Sequence, residues 1–174
     1  MSEPLKNILR FVLLILLQVF VLNNVLVQGL VTPSLYLLFI LLLPKTLPKW
    51  IVMILGLLLG LSIDIFMNTG GMHAAACVFI AFIRPEVLSL FISEKGMESS
   101  LITPSVKVMG WGSFLVYSTI LTFIHHVIYY CLQIFSFNDI FYLAIKILSS
   151  TVITLLMIII FELLFAPHRE KSPA

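Results

Sequence analysis

Hydrophobic residues in this chain run in long blocks rather than in stripes or alternations. Segment 11–27 is almost wholly aliphatic and aromatic, and Lys6 and Arg10 precede it. Gly29 and Pro33 then punctuate the chain, and 31–43 carries a shorter block closed by Pro44 and Pro48. Segment 50–67 is long and apolar; a polar turn at 68–71 follows, and 72–83 is short again, stopped by Arg84 and Pro85. Segments 108–132 and 140–165 are the longest blocks. A helix needs about 20 apolar residues to cross a hydrocarbon core. The pattern therefore predicts an all-α, polytopic membrane protein with six transmembrane helices, two of them short. Segment 31–43 reaches across only as a short or broken helix. The stretch 84–107 reads as a cytoplasmic connection, and the whole chain as a single transmembrane domain.

Charge placement orients the segments. With six crossings and the N-terminus inside, Lys6, Arg10, Lys45, Lys49, Arg84, Lys95, Lys107, Arg169 and Lys171 all face the cytoplasm, and Lys146 alone is left near the outer side. That is a positive-inside arrangement with both termini inside. Among 174 residues 61% are hydrophobic and 10% charged, which leaves no polar stretch long enough for a soluble second domain. The first block lacks a small-residue cleavage site, since Asn23, Asn24 and Gln28 sit among large aliphatics, so it reads as an uncleaved span. Cys77 and Cys131 both fall in apolar blocks and read as small buried hydrophobes.

Against this background the polar residues inside blocks carry the information. Asp64 lies in the outward half of the third segment, and an acid there needs a partner, water or a proton. One reading makes it a structural group that bonds a backbone amide or a serine. Another pairs it with His125 or His126, which lie at comparable depth in the fifth segment. Adjacent helical residues point in different directions, so only one histidine is expected to meet it. The same spacing argues against a metal site. His73, at the start of the fourth segment, reads as an interface or helix-start residue. Gly56 and Gly60 form a GxxxG strip for close helix approach, and Ala74, Ala75 and Ala76 extend a small-residue face. Gly70 and Gly71 suit a tight turn, while Gly110 and Gly112 suit a tilted helix start. Trp50 and Trp111 read as interfacial anchors, and Glu162 as an interfacial acid near the basic tail. No phosphate loop, HExxH site, nucleophile elbow or dinucleotide fingerprint occurs, so neither a cofactor nor a metal is expected. The basic residues are too sparse for nucleic acid, although they suit anionic lipid.

The third and fourth segments, GLLLGLSID ending at Asp64 and NTGGMHAAACVFIAFIRP ending at Pro85, resemble the rod shape-determining MreD family of bacteria. A glycine-rich helix ends in an aspartate, and a short turn leads into a glycine- and histidine-containing, alanine-rich helix. The matching positions are Gly56, Gly60, Asp64, Gly71 and His73. The Gly70-Gly71-Met72-His73 turn departs from the family's usual Gly-Leu-His, and the polar 86–107 connection resembles a divergent, Bacteroidetes-like member. The resemblance implies a non-enzymatic inner-membrane scaffold of the cell-elongation machinery. It would bind an MreC-like protein directly and work with MreB, RodA and the elongation penicillin-binding protein in lateral peptidoglycan synthesis. It also implies a fold similar to the substrate-binding subunits of energy-coupling-factor transporters. That similarity leaves a small-solute, vitamin-type transporter component as the alternative. Within the scaffold reading, Gly56, Gly60, Asp64, Gly71 and His73 are helix-packing or partner-contact candidates, and His125 and His126 are intramembrane polar partners.

Overall fold

A computed structural model describes residues 3–24, 31–92, 103–134 and 139–165. Its helices are α1 (Glu3–Phe20), α2 (Leu37–Leu41), α3 (Lys49–Met67), α4 (Met72–Ser89), α5 (Val106–Gln133) and α6 (Ile140–Phe165), with a 3-10 turn at Leu22–Asn24 after α1. No strand occurs among the described residues. Four of the helices, α3 to α6, are long and apolar enough to cross a membrane. They pack in chain order, α3 on α4, α4 on α5 and α5 on α6, and α1 leans on α3.

The bundle has an apolar core, and its outside is also apolar, unlike that of a water-soluble bundle. Leu58, Leu61 and Ile65 of α3, Phe82 of α4, Val116 of α5 and Val152, Ile160 and Leu163 of α6 are all exposed. Gln18, Asp64, His73, Arg84, Ser118, Thr122, His125, His126, Ser150, Thr154 and Glu162 are all buried. Large apolar patches on the outside and polar groups inside suit surroundings that are themselves apolar.

Two sequence expectations need correction. Segment 31–43 is not a helical span: only Leu37–Leu41 is helical, and the flanking residues run as irregular backbone through the middle of the bundle. From Ser34 to Leu43 every residue is buried. Pro33 at one end and Pro44 at the other keep the helix from extending. The 84–107 connection is shorter than expected, because α4 runs through Pro85 to Ser89 and α5 begins at Val106. Arg84 is therefore inside a helix and 1% exposed, not in a polar loop. Glu162 is buried in the bundle, with the Val106 backbone and the Arg10 charge as its electrostatic neighbours.

Other expectations meet the structure more closely. Gly110 adopts φ 76° and ψ 161°, a left-handed break that kinks the start of α5. Trp50 and Trp111 are both exposed. Cys77 is buried as expected, whereas Cys131 is exposed, contrary to the expectation of burial; both are free thiols. Of the basic residues expected on one side, Lys95, Arg169 and Lys171 lie outside the described residues.

Candidate functional site

An irregular segment buried in a dry interior leaves backbone donors and acceptors that must be met by side chains. The buried polar residues of the surrounding helices do this for 31–43. At its first half, Gln18 donates from Nε2 to the Pro33 carbonyl at 2.7 Å and accepts the Leu35 N–H on Oε1 at 3.0 Å. The Thr32 N–H donates to Ser150 Oγ at 3.1 Å, and the Ser34 N–H to Thr154 Oγ1 at 3.0 Å. At its second half the unmet groups are carbonyls, and the partners change to donors. Tyr117 donates to the Leu41 carbonyl at 3.1 Å, and Arg10 to the Leu42 carbonyl at 3.3 Å. Arg84 donates through Nη2 to the carbonyls of both Leu41 and Leu43. Acceptor carbonyls gather at the end of a helix, where cationic donors belong.

Asp64 has a comparable task at the start of α4. The turn between α3 and α4 carries Asn68 at φ 54°, Gly70 at φ 59° and Gly71 at φ 93°. Gly71, as N-cap, has no side chain with which to cap the first turn of α4. Asp64 replaces it from the neighbouring helix. Oδ1 accepts from the His73 N–H at 3.1 Å and from Thr69 Oγ1 at 2.5 Å, while Oδ2 accepts from the Ala74 N–H at 2.9 Å. These amides are the second and third of the helix, the pair that an N-cap side chain normally meets. Asp64 is thus engaged with backbone amides and a hydroxyl, as the structural reading of the sequence held, although the hydroxyl is a threonine's. The proposed Asp64–histidine pair is not seen: His125 bonds Tyr36, and His126 bonds Thr154.

Gly56 and Gly60 both face α4. A methyl group at 60 would lie 2.6 Å from Ala74 N and 2.7 Å from His73 O, and one at 56 would lie 3.0 Å from Cys77 O and 3.1 Å from Ala81 Cβ. The strip therefore serves packing within the chain and is not a surface for a second protein. Because the atoms at Gly60 are backbone and cannot swing aside, Gly60→Ala is expected to destabilise by about 1–3 kcal/mol. Gly56→Ala should cost less. Equilibrium unfolding of both variants in mixed micelles checks the order; equal stability of Gly60→Ala and the wild type would contradict the close approach.

Between these two anchor points lies a cluster of aromatic and imidazole rings. Tyr36, on the irregular segment and wholly buried, places its hydroxyl 2.9 Å from His73 Nδ1 and 3.1 Å from His125 Nε2. His73 stacks on Tyr129 with centroids 4.3 Å apart. Cys77 Sγ is 4.0 Å from His125 Nε2. His126 Nε2 is 3.2 Å from Thr154 Oγ1, and the Tyr130 hydroxyl is 2.7 Å from Ser150 Oγ. Among the described residues no group of three or more His, Cys, Asp or Glu is arranged to hold a metal ion. The sequence singled out Asp64, His73, His125 and His126 but missed Gln18, Tyr36, Arg84, Ser150 and Thr154. Polar residues within apolar blocks were the available signal.

Outside this core, a lateral groove of about 380 Å³ is lined by Ile8 and Phe11 of α1, Phe39, Leu43, and Leu55 and Leu58 of α3, with Asn7 and Thr46 also on its wall. What these features define is a helical bundle with an apolar surface, filled at its centre by an irregular segment. No known protein family, no curated protein and no solved structure matches the chain.

Proposed function

We propose that this protein is a multi-pass scaffold of the bacterial inner membrane, of the MreD type. In this reading it binds an MreC-like protein in the cell-elongation machinery and catalyses no reaction. The observation that carries the reading is the filling of the bundle centre by residues 34–43, all buried, together with an apolar groove open at the side. A solute carrier of the vitamin type needs a central cavity with a few convergent polar groups. Here Gln18, Thr154 and Arg84 at the centre are engaged with the backbone of 31–43. A scaffold needs a lateral surface, and the groove between α1 and α3 supplies one of a size that accepts side chains from a single transmembrane helix.

The orientation proposed from charge agrees with the way the bundle is built. Arg10 meets Leu42, Lys45 meets the Ile92 carbonyl, and Lys49 pairs with Glu86 at 2.5 Å, all at the Arg84 end. Lys146 lies near the opposite end, over the rings of Tyr130 and Tyr142. We place the Arg84 end in the cytoplasm. MreB, RodA and the elongation penicillin-binding protein would join through the same complex. Gly56 and Gly60 set the α3–α4 packing beneath the groove and Asp64 fixes the start of α4, so these residues act on partner binding through shape. A photo-crosslinker at Leu58, which lines the groove and is exposed, tests the reading. An adduct with an MreC-like protein is expected from Leu58 and not from Val152 on the exposed face of α6.

A further inference from the structure

We propose that Tyr36, His73 and His125 form a proton relay through the core of the bundle. The reasoning is one of hydrogen counting. A tyrosine hydroxyl carries one proton, so between two imidazole nitrogens it donates to one and accepts an N–H from the other. With both rings neutral, two arrangements satisfy the observed 2.9 Å and 3.1 Å contacts. In the first, His73 Nδ1–H donates to Tyr36, Tyr36 donates to His125 Nε2, His73 Nε2 is bare and His125 Nδ1 carries hydrogen. In the second, every one of these roles is reversed.

Passage from the first to the second moves one proton across the triad. A hydronium ion gives a proton to His73 Nε2, forming that N–H bond and leaving water. His73 Nδ1–H breaks as its proton passes to the Tyr36 oxygen, and the original hydroxyl proton passes to His125 Nε2. His125 Nδ1–H then breaks, and its proton leaves to a second water. One proton enters and one departs, no electrons are transferred, and each residue ends neutral. No lasting charge is left in the dry core, where it would be costly. A further proton requires each ring to swing until its other nitrogen faces Tyr36, with the hydroxyl turning back toward His125.

The observation that separates a relay from a static clasp lies at the two ends of the triad. The nitrogens that must take up and release the proton, His73 Nε2 and His125 Nδ1, are both buried and, among the described residues, without a hydrogen-bond partner. A clasp needs only the nitrogens that face Tyr36, whereas a relay also needs its outer nitrogens open to exchange a proton. Beyond His125 on α5, the Thr122 and Ser118 hydroxyls are also buried and unpartnered. Their spacing of three and four residues places them on one helix face with His125, so their hydroxyls extend the line of polar groups beyond the triad. The other groups around the triad are Asp64 from α3, Cys77 from α4, and His126 and Tyr129 from α5. Asp64 is held by the amides of His73 and Ala74.

The relay stands apart from the scaffold reading and does not depend on a partner protein. The full-length protein is reconstituted in liposomes containing a trapped pH-sensitive dye, and a potassium gradient with valinomycin drives protons inward. Wild-type protein is expected to acidify the lumen several-fold faster than protein-free vesicles, and Tyr36→Phe to return the rate to the protein-free level. Wild-type flux equal to that of empty vesicles overturns the relay, as does undiminished flux in a folded Tyr36→Phe variant. Should that variant not fold, nitrogen-15 spectra of the wild-type histidines decide. Exchange of His73 and His125 between the two neutral tautomers supports the relay; a single fixed tautomer at each overturns it.

Discussion

Gln18→Leu is expected to destabilise the protein by about 2–4 kcal/mol, although it removes a polar group from an apolar helix and preserves size. On hydropathy alone the change should be favourable. The geometry reverses the sign. Gln18 is wholly buried and meets two backbone groups of the irregular segment, the Pro33 carbonyl and the Leu35 N–H. Leucine leaves both unmet where no water reaches them, and the cost of an orphaned buried group exceeds the net gain from a typical hydrogen bond. Gln18→Glu separates the two tasks: its oxygens can still accept from Leu35, but without an N–H it cannot donate to Pro33 when ionised. Equilibrium unfolding in mixed micelles measures both variants. A Gln18→Leu protein more stable than wild type would mean that 31–35 does not depend on this side chain.

The second large effect is expected at Asp64. Asp64→Ala removes the acceptor for the His73 and Ala74 amides and for the Thr69 hydroxyl. Loss of a helix cap together with two unmet amides should cost about 2–4 kcal/mol. Asp64→Asn keeps one acceptor oxygen but turns an NH2 toward a donor, so it should fall between alanine and the wild type. Replacing His126 does not remove any of these bonds. A double change at Asp64 and His126 should accordingly be additive, whereas Asp64 and Thr69 should show coupling. Hydrogen exchange at the Ala74 amide supplies a local readout: it should accelerate in Asp64→Ala, and unchanged protection would contradict the capping role.

These two residues also show what a sequence reveals of such a bundle. The blocks 50–67, 108–132 and 140–165 agree with α3, α5 and α6 to within two residues at each end, because long apolar runs select helices in an apolar setting. The block 72–83 marks the start of α4 but not its end, since Pro85 is accommodated inside the helix. The path of 31–43 was illegible for a deeper reason. Hydropathy counts side chains, and Leu35 to Leu43 are as apolar in an irregular chain as in a helix. What distinguishes the two is where the backbone amides and carbonyls are met, and that depends on residues far away in the chain.

Gln18, Arg84, Ser150 and Thr154 are the complement of that irregular backbone. Other hydroxyls in the same helices serve only themselves: Ser62, Ser149 and Thr151 each bond a carbonyl one turn back. Nothing in the local sequence separates Thr151 from Thr154, yet only the second reaches Ser34. Asp64 was legible as an anomaly and its bond to backbone amides was among the readings. Its target remained hidden, because the capped helix begins beyond a turn of left-handed residues whose course only the fold reveals.

The central claim is that the groove between α1 and α3 holds a transmembrane partner of the elongation machinery. Photo-crosslinking from Leu58 at native expression levels, followed by mass spectrometry of the adducts, addresses it directly, with Val152 on α6 as the comparison site. The scaffold account predicts an MreC-like adduct from Leu58 alone, and capture of RodA and the elongation penicillin-binding protein with it. Adducts instead with an ATPase-coupled transporter assembly, or the same weak background from both positions, would contradict it.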